Sequence, residues 1–285
     1  MDEKQKKIFA CIDGSQDTFS VCDWAKWSSE QLQKPIVLVH GIERADENDE
    51  IDYSGHIGLG SREHLLEELV KLDAKRGKLA KEQGKIVLSE AEKYLKKKGA
   101  KNVSTMLRHG SLLECLEDLK NDAQLIVIGH QGTQHQGETK HMIGSQVENV
   151  IRGLEVPIAV VQPPFKAPTD VLLAYDGSTT AQKALDLVLR TGLLSTRTCH
   201  LLYVGEDNQN LFGEARRRLE NAGHNVVQAT RKGEVTKEIL YYCAETNCGL
   251  IVMGAYGHSR IRQFLVGSNT TNLLIHTKVP LVLLR

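Results

Sequence analysis

The chain has 285 residues, 41% hydrophobic and 25% charged, with 36 basic side chains against 36 acidic ones. At roughly 100–200 residues per domain this length fits two domains, each able to bury its own core, and the composition excludes a disordered chain. A formal net charge of zero removes the global field that attracts a polyanion, so wholesale nucleic-acid binding is excluded and any anion site must be local.

The chain opens Met1-Asp-Glu-Lys-Gln-Lys-Lys7, without an apolar signal core, and no run reaches the roughly 20 apolar residues of a membrane span. A cytoplasmic protein that binds neither membrane nor nucleic acid is expected. Residues 9–15, Phe-Ala-Cys-Ile-Asp-Gly-Ser, read as a first strand ending in a turn, and Pro35 to Gly41 as a second. A polar, acidic stretch from Glu43 to Gly60 then reads as a mobile loop. Ser61 to Lys98, with Leu65, Leu66, Leu69, Val70 and Leu72, reads as a long helix or a helix pair. Arg108-His-Gly110 precedes an amphipathic segment, and Leu125–Gly129 and Val156–Val161 supply two further strands.

These landmarks then recur in the same order. Leu172-Leu-Ala-Tyr-Asp-Gly-Ser178 echoes residues 9–15, Cys199–Gly205 echoes 35–41, and Arg231-Lys-Gly233 echoes 108–110. Leu250–Gly254 and Val279–Leu284 complete the series, so the chain is a duplication. The copies meet at Gln162-Pro-Pro-Phe-Lys-Ala-Pro168, where proline removes backbone donors and favours extended chain. The boundary is set near 165, giving domains 1–165 and 166–285, the first carrying an inserted segment at 43–98.

In the second copy the predicted strands are 170–175, 199–204, 225–230, 249–253 and 281–284. Helices are predicted after the caps at 178–182, over Leu211–Asn221 and over Asn269–Lys278. Strands alternating with helices predict crossover units in a parallel sheet covered on both faces. Beyond Gly254, the segment Ala-Tyr-Gly257-His-Ser-Arg-Ile-Arg-Gln-Phe-Leu-Val-Gly267-Ser268 leads into a helix. Glycines let backbone amides approach a ligand, and a helix N-terminus offers unpaired N–H groups to an anion, a combination suited to a phosphate chain. If the strand order is 3-2-1-4-5, Asp176 and Gly254 close the two strands that flank the ligand crevice.

The spacing Gly254-x2-Gly257-x9-Gly267-Ser268, with Asp176 ending the first strand and Val279-Pro280 before the last, resembles the ATP-binding branch of the universal stress protein family in its tandem form. The resemblance implies two flavodoxin-like α/β domains of strand order 3-2-1-4-5, related by a pseudo-twofold axis through their last strands. It implies ATP in the C-terminal copy; magnesium arriving with ATP is expected because that ion is commonly held by phosphates and few protein ligands. Asp176 would contact adenosine and the Val204 backbone the adenine edge. Gly254, Gly257, Gly267 and Ser268 would hold phosphates with Asn269 beside them, and Met253 or Ala174 would wall the base.

The first copy departs from this pattern: eleven residues separate Gly132 from Gly144 where the second copy has nine, and Glu138 adds negative charge. It is expected to bind ATP poorly, although Asp13, Gly129, Gly132, Gly144 and Ser145 survive. His130, His135 and His141 read as solvated loop residues and not as metal ligands. The six cysteines, at 11, 22, 115, 199, 243 and 248, form no Cys-x-x-Cys pair and read as small buried hydrophobes; a helix would set Cys243 and Cys248 on different faces. Lys96–Lys98 and Arg216–Arg218 read as solvated helix faces.

Asp-Gly-Ser reads as strand end, turn and helix cap, and no nucleophile or general base can be singled out, so no enzyme is expected. The expected role is a stress response exercised through conformation, a protein partner or self-association, with 43–98 as the surface for it. The alternatives are a nucleotide-independent scaffold and a slow ATP hydrolase.

Overall fold

A computed structural model describes residues 6–42, 59–130, 144–190, 197–206, 212–255 and 268–285, with the side chains of 59–67 and 268–269 left aside. The first copy runs β1 (Lys7–Cys11), α1 (Thr18–Leu32), β2 (Ile36–Ile42), α2 (Leu59–Lys97), β3 (Val103–His109), α3 (Leu112–Glu117), β4 (Ala123–Gly129), α4 (Ser145–Gly153) and β5 (Ile158–Val161). The second runs β6 (Val171–Ala174), α5 (Thr179–Arg190), β7 (Thr198–Val204), α6 (Phe212–Asn221), β8 (Asn225–Arg231), α7 (Val235–Thr246), β9 (Leu250–Gly254), α8 (Ser268–His276) and β10 (Leu281–Leu284).

Both copies have the expected order 3-2-1-4-5, and they merge into one ten-stranded sheet, β3-β2-β1-β4-β5-β10-β9-β6-β7-β8. Every neighbouring pair is parallel except β5 with β10, which run antiparallel with Leu281 opposite Val160 and Leu283 opposite Ile158. Each half would otherwise end in an unpaired apolar strand, a template for aggregation; their pairing removes both edges.

Strand alternation explains why these runs are apolar throughout. Ile8, Ala10 and Ile12 join a core with α1, α2, α5 and α6, while Phe9 and Cys11 face a second core with α3, α4, α7 and α8. In the second copy Leu173 and Val252 lie in the first core, and Leu172 and Ile251 in the second.

The segment joining the copies is anchored. Phe165 packs edge-on against Trp24 with ring centroids 5.3 Å apart, and Gln162 donates from Nε2 to the Thr277 carbonyl at 2.8 Å. The 59–97 region is one helix and not a pair, since no proline interrupts it; its three glycines, Gly60, Gly77 and Gly84, leave it unbroken. The stretch expected to be a mobile loop, 43–60, lies outside the described residues up to 58, and its last two residues belong to α2. Lys96 and Lys98 pair with Glu92 and Asp23, and Arg216 and Arg218 with Glu220 and Asp186, as solvated helix faces should.

All six cysteines are free and buried. Cys243 and Cys248 are not held apart: α7 stops at Thr246, the left-handed cap Asn247 reverses the chain, and the Cys243 thiol lies 3.3 Å from the Cys248 carbonyl oxygen. His130 is not a solvated loop histidine either. It is 8% exposed, and its Nε2 lies 2.8 Å from the Leu274 carbonyl of α8, across the junction of the copies.

Candidate functional site

The duplication extends to the turn after the first strand of each copy. Gly14 and Gly177 both adopt positive φ, +82° and +75°. Asp13 accepts a hydrogen bond from the Ser15 N–H at 2.9 Å, and Asp176 accepts one from the Ser178 N–H at 3.0 Å, in each case through Oδ1. The turn therefore uses one oxygen of each carboxylate as an Asx turn and fixes the side chain at the strand end. Ser178 also accepts from the Ala181 N–H at 3.2 Å, capping α5 as its position suggests.

In the C-terminal copy, β6 lies between β7 and β9, so Ala174 is registered against Met253 on one side and Leu202 on the other. Ala174, Val204 and Met253 belong to the same apolar cluster on one sheet face, with Met253 9% exposed. Asp176 follows two residues beyond Ala174, and Gly254 closes the adjacent strand. These five residues gather at the carboxyl edge of neighbouring strands. Ser268 and Asn269 open α8 by their backbone, while Gly257 and Gly267 lie outside the described residues.

Gly254 is needed on steric grounds. A Cβ there would stand 2.5 Å from Thr180 Oγ1 and 2.7 Å from the Thr180 backbone carbon, in the first turn of α5. Its counterpart Gly129 is equally confined, but by Asp17: a Cβ would stand 2.8 Å from the Asp17 Cβ and 3.0 Å from Oδ2. Thr180 and Asp17 occupy equivalent places, each four residues after the strand-end aspartate. One copy thus sets a hydroxyl beside the glycine and the other a carboxylate. This pair was not singled out in the sequence, although the equivalent offset from Asp13 and Asp176 was a signal available in the repeat.

The N-terminal crevice contains a cavity of about 370 Å³, lined by Asp13, Asp17, His40, Gly129, Gly144 and Ser145 among others. Among the described residues no lysine or arginine lines it. Helix α2 covers it: Ala80 and Gln83 reach the lining, and Val87 would stand 3.2 Å from a Cβ on Gly14. That approach depends on Gly84, where a Cβ would come within 2.8 Å of both His40 and Leu107. An isolated glycine in a helical pattern was the sequence sign of such a close crossing. His40 is fixed in turn by Nδ1, 2.7 Å from the Ile12 carbonyl. Cys11 on the cavity floor is pushed well up by burial, so it offers no thiolate nucleophile. The eleven-residue loop, with His135, Glu138 and His141, lies outside the described residues. No helix among the described residues is long and apolar enough to cross a membrane.

A model of the universal stress protein family matches residues 4–162 and 205–285. A universal stress protein from Synechocystis sp. is 34% identical over 287 residues, covering 98% of this chain and all of the relative. The crystal structure of a universal stress protein from Archaeoglobus fulgidus superposes with a TM-score of 0.73 at 20% identity, covering 100% of this chain and 99% of the other. A second, a putative universal stress protein from Pseudomonas aeruginosa, gives 0.62 at 14% identity over 98% and 92%. Family match, full-length relative and repeated 3-2-1-4-5 sheet agree, and the chain belongs to the universal stress protein family.

Proposed function

We propose that the chain binds ATP in its C-terminal copy, with magnesium coordinated chiefly by the phosphates, and that it acts in a stress response through conformation or a partner and not through catalysis. The observation that carries the choice of copy is the contrast between Thr180 beside Gly254 and Asp17 beside Gly129. A hydroxyl can donate to a phosphate oxygen. A carboxylate repels it, by about 1 kcal/mol per pair at 4 Å in water and about 4 kcal/mol at an effective dielectric of 20.

Other features agree. The C-terminal glycine loop carries Arg260 and Arg262, whereas the N-terminal one carries Glu138 with Lys140. The second oxygen of Asp176 is not used by its own turn and can accept from a ribose hydroxyl or the adenine amino group. Ala174, Val204 and Met253 offer the base an apolar face. Magnesium would screen the phosphate charge while keeping part of its own water shell, so few protein ligands are required.

Calorimetric titration with magnesium and ATP tests the reading. Thr180→Asp should weaken binding by at least about tenfold, given the repulsion above, while the fold is retained. Unchanged affinity in that variant would remove the basis for assigning the nucleotide to this copy.

A further inference from the structure

Helix α2 spans residues 59–97, about 58 Å at 1.5 Å per residue, far more than the sheet beneath it uses. Only its C-terminal part is seated: Gly84, Leu88, Ala91 and Leu95 form an inward row, the last three at most 4% exposed. Every side chain from Glu68 to Leu79 is exposed. On this bare length and its continuation stand Leu69, Val70, Leu72, Leu79 and Ile86, between 39% and 68% exposed.

Leu72, Leu79 and Ile86 recur every seventh residue, the spacing of a coiled-coil seam, and Leu69 adjoins them three positions before Leu72. Ile86 lies two residues from Gly84, hence on the opposite side of the helix from the row that meets the sheet. Leu72 and Leu79, by the same rotation, also lie more than about 100° from that row, so these three point away from the body of their own chain. A solvent-exposed apolar stripe on a helix is normally covered by another element.

We propose that α2 pairs with α2 of a second copy of this chain as an antiparallel, two-stranded coiled coil. The charges beside the seam select both the occupant and the direction. With Leu69 packed against the partner's Ile86, Leu79 meets the partner's Arg76, and Lys75 falls opposite the partner's Glu82. The twofold axis repeats each pair. Lys75 and Glu82 flank the middle of the helix, so this register overlaps the two helices along their whole length and sets the two bodies at opposite ends. A parallel pair would instead oppose Glu68 to the partner's Asp73, two like charges, and would crowd the bodies side by side. The pairing requires no nucleotide and stands or falls apart from ATP binding.

Sedimentation of the full chain, combined with disulfide trapping, tests the pairing. The native cysteines are all buried, so introduced ones report without background. The wild-type chain should sediment as a dimer, and Leu69→Cys with Ile86→Cys should give a covalent dimer under oxidation, whereas Leu72→Cys alone should not. Leu72→Glu with Leu79→Glu, both at exposed positions, should weaken dimerisation by at least about 100-fold with an unchanged circular dichroism spectrum. Lys75→Glu and Glu82→Lys should each weaken the dimer, and together restore it. A monomer at high micromolar concentration overturns the proposal. So does a dimer that survives the two glutamates, which would lie elsewhere on the molecule, or efficient trapping through Leu72→Cys, which would mean parallel helices.

Discussion

Asp17 and Thr180 show how a duplicated frame can be retuned by one side chain. Both sit four residues past the strand-end aspartate and both crowd the glycine that closes the fourth strand of their copy. Asp17→Thr should therefore make the N-terminal crevice more tolerant of an anion; titration with ATP should show weak binding there once the C-terminal site is blocked. At the same scale the buried thiols set an alkaline limit. Burial pushes Cys22, Cys199 and Cys243 from 9.0 up to about 12. The unfolded chain then releases protons that the folded one holds, so the stability these protonated thiols contribute is complete below pH 9 and is lost as pH rises from 9 towards 12. Each thiol adds a slope of about 1.4 kcal/mol per pH unit in that window. Urea midpoints measured from pH 8 to 11 should fall above 9, and a flat profile would mean that the thiols are not desolvated. Cys243→Ala should lessen the slope.

At the scale of elements, α2 divides into a seated and an unseated part. Leu95 is fully buried between helix and sheet, so Leu95→Ala should cost about 2–5 kcal/mol in chemical denaturation. Leu79, on the bare part, should cost less than about 0.5 kcal/mol when changed to alanine in a chain kept monomeric. Equal costs would mean that the helix is seated along its whole length. The strands were largely legible in the sequence because a buried parallel strand is an apolar run with a turn at its end; 250–254 and 281–284 are such runs. The end of α7 was not legible. Asn247 takes a left-handed conformation that no periodicity announces, and that turn is what brings Cys248 back beside Cys243. His130 was misread for a related reason: its partner, the Leu274 carbonyl, is 144 residues away. Of the candidate site, Asp176 and Gly254 were read from strand ends and Ala174, Val204 and Met253 came from the family resemblance, whereas Thr180 required knowledge of which helix turn crosses which glycine.

Across the whole molecule the sheet is continuous, and the contacts between copies are more than one strand pair. Gln162 donates to the Thr277 carbonyl at 2.8 Å, Arg197 donates to the Gln31 side chain at 3.2 Å, and His130 reaches α8. Each of the two apolar cores includes residues of both copies. Scanning calorimetry should accordingly show one transition with calorimetric and van't Hoff enthalpies in agreement; two separated transitions would mean that the copies unfold independently. The contact of His130 with the Leu274 carbonyl also ties the end of β4 to α8 across the junction of the copies.

The stoichiometry of nucleotide binding reports whether two similar crevices differ in ligand chemistry. The purified protein is denatured, released small molecules are identified by mass spectrometry, and the ligand-free chain is titrated with magnesium and ATP. One ATP per chain is expected, lost in Gly267→Val and in Thr180→Asp and retained in Gly144→Val. Binding that survives Gly267→Val but is lost in Gly144→Val, or no binding up to millimolar ATP, would contradict it.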